Sequence, residues 1–342
     1  MSFLKNCWYV AAWDHEILGD TLLQRTICGQ SIVFYRTLDG RPVAMDNKCC
    51  HRHAPLHLGR KEGDCVRCMY HGLKYDPSGR CVEIPGQEVI PVKLAQRTYR
   101  LVQRKRWVWI WMGDAARADE SQIPDTFSMT DPAWRWKPSY LHYRANYLNI
   151  ADNLLDFSHL SYVHEKTFGG SPTIAEVKAE TTRLERGIRV SRPVRNTVPA
   201  PYHQRLGKFK GKVNRWFRYD LLVPGVLLLD AGVRPVEDAE DDDTNALRFH
   251  SCQAITPETA TTTHYFFMQA HGFQTDDAVI TESIEQSQRA AFVEDKLILE
   301  AQQQMIDNSS PSPMVNIVAD KALMQYRRLV DELIAREEGL AS

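Results

Sequence analysis

Cysteine and histidine residues cluster near the amino terminus of this chain, and this clustering constrains its fold more than any other feature. Seven of the 8 cysteines lie within the first 81 of the 342 residues. The first ten residues lack the apolar core and cleavage site of a signal peptide, so we expect a cytoplasmic, reducing location. In that setting, clustered cysteines indicate metal rather than disulfides. The sequence therefore predicts a metal-binding domain at its start.

Two short segments supply the candidate metal ligands, and each carries one cysteine and one histidine. Cys49-x-His51 is followed, after sixteen intervening residues, by Cys68-x-x-His71. Two thiolates on one iron and two imidazoles on the other are the ligands of a Rieske [2Fe–2S] cluster. The spacing therefore predicts an iron–sulfur centre that accepts and passes on single electrons.

Two other assignments compete for the same residues. A tetrahedral zinc site could be built on Cys65-x-x-Cys68 with a cysteine of the first segment, but it would leave His71 unused. A shifted first loop, Cys50-x-x-His53, would not combine with the second segment in the Rieske spacing. The Rieske assignment uses all four well-placed side chains.

The rest of the chain predicts an α+β protein of two domains, 1–115 and 116–342. Short apolar runs separated by Gly, Pro, Asp and Asn turns indicate an all-β first domain. In the second domain, residues 173–274 are strand-like, and the stretches 276–304 and 320–338 have helical patterns. We therefore expect a β-sheet with helices in the second domain.

A second group of candidate ligands begins the second domain. The segment Asn153–His164 is expected to be helical, with Asp156 and His159 about 60° apart on one face. On a regular helix His164 would lie about 140° from His159, so the two imidazoles converge only if the helix bends or ends between them. Two histidines and a carboxylate on one side of an Fe(II) ion are typical of non-heme iron oxygenases.

The third ligand is expected on the later helical segment, which offers Glu294 and Asp295. The helical angles place Asp295 on the apolar stripe with Ile284 and Phe292, where a carboxylate is costly unless it is paired or bound to metal. Glu294 lies further round the helix. Periodicity favours Asp295 and leaves Glu294 open.

The order of these motifs resembles the oxygenase (alpha) component of Rieske non-heme iron oxygenases, in the vanillate O-demethylase and dicamba O-demethylase branch. The resemblance rests on C-x-H-R-x-A-P-L at Cys49, C-x-Y-H-G-L at Cys68 and N-x-x-D-x-x-H-x-x-x-x-H from Asn153. It departs from the usual pattern at Cys50, where proline is common. It implies an antiparallel, helix-grip-like sheet in the second domain, and it implies Asp295 as the third ligand of the mononuclear iron beside His159 and His164.

The resemblance also implies a reaction and partners. The expected function is oxidative O-demethylation of a vanillate-like aromatic acid with release of formaldehyde; N-demethylation or ring or methyl hydroxylation is the alternative. Electrons would come from NAD(P)H through a separate flavin- or ferredoxin-type reductase. In a homotrimer, Asp156 would link His71 of a neighbouring copy to His159. The cofactors would be a [2Fe–2S] cluster and Fe(II), with O2 as co-substrate.

Charge and hydropathy exclude other partners, and residue types suggest substrate contacts. A formal charge of −1 gives no electrostatic case for nucleic acid, and no apolar run is long enough for a spanning helix. A pure electron carrier would not need the second domain, and a zinc-stabilised interaction protein would be colourless, whereas a Rieske protein is red-brown. Asp230, Arg218, His250 and His264 are candidate substrate contacts, although a buried structural hydrogen bond is the favoured interpretation of Asp230.

Overall fold

The computed structural model describes residues 2–165, 167, 173–240, 242–310 and 312–339. By internal contacts the chain divides into two units. The first comprises Met1–Pro124 with Thr256–Ala260, and the second comprises Asp125–Ile255 with Thr261–Ser342. Each unit has its own sheets and its own candidate ligands.

The described part of the first unit contains short antiparallel strands in three sheets, as the turn-rich sequence predicts. The sheet orders are β1-β10-β9, β2-β3-β4 and β5-β6-β7-β8. The strands are β1 (Trp8–Trp13), β2 (Leu23–Ile27), β3 (Gln30–Arg36), β4 (Pro42–Asp46), β5 (Arg60–Glu62), β6 (Cys65–Arg67), β7 (Lys74–Tyr75), β8 (Cys81–Glu83), β9 (Arg100–Arg104) and β10 (Trp107–Trp111).

The loops after β4 and after β6 carry the two Cys/His segments. Cys49 and Cys68 belong to the same buried cluster as Val33, Tyr35 and Tyr75. Packing against this β-strand core fixes both thiols, because buried side chains in a dense core have little freedom to move.

The second unit contains one seven-stranded antiparallel sheet in the order β11-β17-β16-β15-β14-β13-β12. Its strands are β11 (Ser139–Tyr143), β12 (Glu180–Leu184), β13 (Gly187–Thr197), β14 (Val213–Leu222), β15 (Val226–Pro235), β16 (Leu247–Pro257) and β17 (Thr263–His271). Its helices are α1 (Tyr147–Leu155), α2 (Thr173–Glu176), α3 (Pro201–Gly207), α4 (Ala278–Asn308) and α5 (Lys321–Glu337). The α+β class is confirmed.

The long helix α4 positions one candidate ligand. Its buried residues include Ile284, Gln288, Ala291, Phe292 and Asp295, which recur every three or four residues and so form one face. The Asp277 side chain caps the helix by accepting from the Val279 amide at 2.8 Å. The predicted apolar stripe is therefore real, and Asp295 lies on it.

None of the helices in the described residues is long and apolar enough to cross a membrane.

Candidate metal centres

Each of the two Cys/His loops of the first unit contains a backbone turn of the same kind. His53 N donates to Cys49 O at 2.9 Å, and Gly72 N donates to Cys68 O at 3.0 Å. The donor in each loop has a positive φ, +59° at His53 and +76° at Gly72. His53 thus occupies the position that Gly72 takes in the second loop, which assigns it to the turn.

Burial separates the thiols from the imidazoles at this site. Cys49 and Cys68 are 2% and 1% exposed, whereas His51 and His71 are exposed at the surface. The two imidazole rings lie with their centroids 4.6 Å apart. This arrangement fits a two-iron cluster, with a thiolate-bound iron inside and an imidazole-bound iron at the surface.

A tyrosine hydroxyl contacts the sulfur atoms at this site. Tyr75 Oη lies 3.1 Å from Cys49 Sγ and 3.3 Å from Cys50 Sγ. Burial, followed by these contacts, raises the pKa of Tyr75, so its hydroxyl stays protonated. A protonated hydroxyl can donate to a thiolate ligand, which is one way in which proteins set cluster potentials.

A single-ion zinc site is less well supported by this geometry. Within the described residues, one group of three or more His, Cys, Asp or Glu brings its ligand atoms within 4.8 Å of one another, and it is in the second unit. The four Cys/His side chains of the first unit are spread more widely, as two metal ions with separate ligand pairs require.

Helix α1 ends within the segment that the sequence predicts as helical, as convergence of the two imidazoles requires. It stops at Leu155, and Asp156 then caps a 3₁₀ segment, Phe157–Ser161, by accepting from the Ser158 amide at 2.9 Å. The chain turns again before His164. This break brings the rings of His159 and His164 to a centroid separation of 5.2 Å, which a regular helix would not allow.

Hydrogen bonds fix which nitrogen each imidazole presents. His159 Nδ1 lies 2.5 Å from Asp156 O, and His164 Nδ1 lies 2.7 Å from Glu294 Oε2. Because these oxygens accept, both Nδ1 atoms carry a proton, and the Nε2 atom of each neutral imidazole is the one that can bind a metal ion. Glu294, the other candidate ligand on α4, therefore orients His164.

The two Nε2 atoms face Asp295. Its Oδ1 lies 3.1 Å from His164 Nε2 and 3.5 Å from His159 Nε2, and it accepts from Asn153 Nδ2 at 3.1 Å. A buried carboxylate that faces two imidazole nitrogens needs a balancing positive charge, which a bound metal cation supplies. The donor set thus fits a metal ion, and two imidazoles with one carboxylate suit Fe(II).

Burial and charge act in opposite directions on the two imidazoles. Burial lowers the pKa of His159, and the attraction of Asp295 does not offset it. Burial also opposes protonation of His164, but hydrogen bonds and charges from Asp295 and Glu294 outweigh it and raise its pKa.

The Asp156 carboxylate is bound differently from the expectation. The expected bond to His159 is formed by the main-chain oxygen of Asp156, while its carboxylate accepts from Ser158 Oγ at 2.6 Å and from Arg192 Nη2 at 3.3 Å. Arg192 is 4% exposed, so its charge pairs with Asp156 at low dielectric. Asp156 therefore connects His159 with a buried cation on β13.

A cavity with about 710 Å³ of empty space, part of it open to solvent, adjoins the His159, His164 and Asp295 side chains. Its apolar wall comprises Leu154, Phe157, Phe217, Leu229, Phe249 and Phe292. Its other polar side chains are Asn153, His203, Arg215, Gln253, Gln269 and Gln288. Aromatic walls with a few polar groups are typical of small-molecule sites.

Comparison with known proteins agrees with both centres. The Rieske [2Fe-2S] domain family matches residues 7–97, and the vanillate O-demethylase oxygenase C-terminal domain family matches residues 143–336. The iron-sulfur subunit of the toluene-4-sulfonate monooxygenase system of Comamonas testosteroni is 46% identical, over 98% of this chain and 99% of its own.

The chain belongs to the Rieske non-heme iron oxygenases. The oxygenase subunit of vanillate O-demethylase from a Pseudomonas strain is 31% identical over 99% of this chain and 97% of its own. A crystal structure of dicamba monooxygenase bound to 3,6-dichlorosalicylic acid has a TM-score of 0.92 at 29% identity and covers 99% of both chains. A [2Fe–2S] cluster and a mononuclear non-heme iron are therefore this oxygenase's cofactors.

The predicted substrate contacts lie elsewhere in the second unit. Asp230, Arg218 and His250 line a separate pocket, and His264 Nδ1 bonds to the hydroxyl of Tyr140 at 2.8 Å. None of the four lines the cavity beside the triad.

Several polar residues of the cavity were not predicted from the sequence, among them Arg215 and His203. Arg215 lies on the same buried face of β14 as Val213, Phe217 and Tyr219, and a cation on an otherwise apolar face is the signal that could have found it. No comparable pattern marks His203.

Proposed function

We propose that this oxygenase component hydroxylates a methyl group of a small aromatic acid, using O2 and electrons that a flavin- or ferredoxin-type reductase takes from NAD(P)H. The observation that carries the proposal is the cavity of the second unit, where aromatic walls meet the His159, His164 and Asp295 side chains. An aromatic ring held there would present one substituent to these side chains. We also propose a cytoplasmic location and two domains, 1–115 and 116–342.

The metal assignments are part of this proposal. When bound, the two groups supply stored electrons and the activation of O2. The proposed ligands are Cys49 and Cys68 for one cluster iron, His51 and His71 for the other, and His159, His164 and Asp295 for the mononuclear iron.

The chain's own side chains hold the iron ligands in place. Asn153 donates to Asp295, Glu294 accepts from His164, and the main chain of Asp156 accepts from His159. Such partners orient imidazoles, fix their tautomers and raise their basicity as ligands. The apolar wall excludes water from the reacting methyl group, which limits side reactions.

Asp156, which is not a metal ligand, is the residue proposed to support catalysis by positioning the imidazoles. In a homotrimer of the kind that the family resemblance implies, its carboxylate would meet His71 of a neighbouring copy, and His71 is exposed in this chain. The Asp156 carboxylate accepts from Arg192 in this structure, and it can likewise accept from an imidazole N–H.

Two kinds of methyl group fit the same overall reaction. R–CH3, O2, two electrons and two protons give R–CH2OH and water. Identity of 46% to a toluene-4-sulfonate monooxygenase subunit, against 31% to a vanillate O-demethylase subunit, favours a ring methyl on an arenesulfonate or arenecarboxylate. O-demethylation remains the second candidate, supported by the C-terminal family match; there the hydroxymethyl ether collapses to a phenol and formaldehyde.

The test is turnover with 4-methylbenzenesulfonate, 4-methylbenzoate and vanillate, using NADH, a surrogate reductase and the purified oxygenase. We expect the 4-hydroxymethyl product from a toluene derivative, with oxygen uptake equal to product. Formaldehyde from vanillate alone would assign O-demethylation instead. Oxygen uptake without any hydroxylated or demethylated product from these acids would contradict the proposed function.

A further inference from the structure

The cavity contains a buried cation that the metal centre does not use. Arg215, on β14, is 3% exposed and lines the cavity. Its guanidinium carbon lies 5.1 Å from the ring centroid of Phe217, which belongs to the apolar wall. Burial lowers the pKa of Arg215 to about 10, so the group remains charged at neutral pH.

A second polar group lies at the same end of the cavity and has an unused atom. His203 on α3 is 7% exposed, and its Nδ1 has no hydrogen-bond partner among the residues that the structure describes. Burial, together with the charge of Arg215, holds the pKa of His203 well below its usual value. His203 is therefore a neutral imidazole, which can donate one hydrogen bond to a ligand.

Two buried amides, Gln253 and Gln288, and the half-buried amide of Gln269 continue this polar region. Gln253 and Gln288 both donate to Ser251 Oγ at 3.0 Å, and Gln269 donates to the hydroxyl of Tyr202 at 3.0 Å. Gln288 Oε1 has no partner within the described part of the chain. Unpaired buried polar atoms in a cavity are expected where a ligand completes the hydrogen bonds.

Helix α4 shows how far Arg215 lies from the iron ligands. Gln288 precedes Asp295 by two helical turns, or about 10 Å at the usual rise, and Ile284 precedes it by three turns, or about 16 Å. Ile284 packs in one cluster with Val213 and Val233, and these strand residues are the neighbours of Arg215 along β14 and across to β15. Arg215 and Asp295 thus occupy opposite ends of the cavity.

We propose that Arg215 and His203 form the anion subsite of this oxygenase, which binds the sulfonate or carboxylate of the aromatic substrate. This inference rests on the proposed function. The guanidinium supplies paired donors that match two oxygens of either anion, and the imidazole supplies another. With the anion fixed at this end, the opposite side of a single ring faces His159, His164 and Asp295.

The two ends of the cavity therefore differ in their hydrogen-bond donors, which orients the substrate. The Arg215 end offers several N–H donors to an anion at low dielectric, whereas at the other end His159, His164 and Asp295 serve as metal ligands. Neutral arenes lack this charge-assisted interaction with the guanidinium, so they are bound less tightly.

The experiment measures binding to the iron-loaded protein by calorimetry under anaerobic conditions, where no turnover occurs. The ligands are 4-methylbenzenesulfonate, 4-methylbenzoate and the neutral 4-methylbenzenesulfonamide. The anions should bind about 30-fold more tightly than the sulfonamide, because hydrogen bonds to charged groups are the stronger ones. A sulfonate preferred over a carboxylate, or the reverse, identifies which anion the subsite fits.

Substitutions test whether Arg215 and His203 cause the tighter binding of the anions. Arg215→Gln should weaken anion binding about 30-fold and change sulfonamide binding by less than about threefold, and Arg215→Lys should restore part of the loss. His203→Leu should weaken anion binding about fivefold. Arg218→Gln is the matched control, because Arg218 is an exposed arginine on the opposite face of the same strand and should leave all affinities unchanged.

The position of hydroxylation gives an independent measurement. With 2,4-dimethylbenzenesulfonate, the wild-type protein should hydroxylate one methyl group, and Arg215→Gln should give a mixture of both products. A folded Arg215→Gln protein with unchanged anion affinity and one product would overturn the subsite. If that variant does not fold, equal binding of anion and sulfonamide by the wild-type protein overturns it.

Different results would reject the anion subsite and the proposed function. If the wild-type protein binds and hydroxylates the anionic arenes while Arg215→Gln behaves identically, only the subsite is wrong. If the wild-type protein neither binds nor hydroxylates any of these arenes, the proposed function fails and the subsite fails with it.

Discussion

The two candidate metal centres are held in place by different kinds of contact. In the first unit, matching main-chain bonds, from His53 to Cys49 and from Gly72 to Cys68, shape both ligand loops. In the second unit, the ligands come from segments more than 130 residues apart, and side chains such as Asn153 and Glu294 orient them. One centre is set by backbone conformation, and the other by a network of side-chain hydrogen bonds and charges.

This difference predicts where each centre is sensitive. A centre set by the backbone should respond to substitutions that change the conformation of a turn, whereas a side-chain network should respond to the loss of one charge or one hydrogen bond. The substitutions below probe each centre at the contact that should matter most.

Asp156→Asn should have the largest effect, on turnover. The change keeps the main-chain acceptor for His159 but removes the charge that pairs with buried Arg192. We expect unchanged iron and cluster content with turnover reduced about 10- to 100-fold, the usual range for such partners. Coupled oxygen uptake and product formation measure it.

A matched control exists on α1. Asp152 forms a comparable ion pair, 2.6 Å from Arg327, but lies outside the cavity lining. Asp152→Asn should lower stability without lowering turnover per folded molecule. Full coupled activity in Asp156→Asn would remove Asp156 from its proposed role.

Glu294→Gln should weaken iron retention about tenfold, because the neutral amide holds His164 less firmly. Iron remaining after dialysis against a graded series of chelator concentrations measures the effect. Glu285→Gln, on the same helix and away from the ligands, is the control. Equal iron retention in both variants would mean that the side-chain network does not hold this centre.

Gly72→Ala tests the backbone-defined centre. A Cβ at this position would lie 2.7 Å from Pro85 Cγ at a φ of +76°, so we expect a loss of about 1–3 kcal/mol in unfolding free energy. His53→Gly relieves the same left-handed turn in the other loop and should change stability by less than about 1 kcal/mol. Thermal unfolding followed by cluster absorbance compares the two variants. Equal losses of unfolding free energy would contradict the conclusion that the two loops contain the same kind of turn.

Tyr75→Phe should have the smallest effect. It removes the hydroxyl that contacts Cys49 Sγ, and a lost hydrogen bond to a cluster ligand lowers the reduction potential. A redox titration followed by visible absorbance should show a more negative midpoint with an unchanged spectrum. A midpoint equal to that of the wild-type protein would show that this contact does not tune the cluster.

The first centre could be predicted from the sequence because its information is local. The spacing of Cys49, His51, Cys68 and His71 is short, and the loops that carry it are closed by their own main-chain bonds. The correspondence between His53 and Gly72 could not be predicted, because a positive φ at a non-glycine residue has no reliable sequence pattern.

The second centre was only partly predictable. Periodicity placed Asp295 on the buried face of α4, yet the convergence of His159 and His164 depends on the end of α1 at Leu155, which tertiary packing decides. The role of Glu294 needed its distance to His164. The candidate substrate contacts Asp230, Arg218 and His250 line a different pocket from the triad, because the face of a strand residue follows from its register, which one sequence does not determine.

The most direct test of the central claim is a single turnover with reductant-treated, iron-loaded protein, 4-methylbenzenesulfonate and O2. We expect the reduced two-iron cluster to show its paramagnetic signal, then to be reoxidised as hydroxymethyl product forms. Asp295→Ala should retain the cluster signal, lose about one iron per chain and form no product. Product from Asp295→Ala, or the absence of a cluster signal in the wild-type protein, would contradict the account.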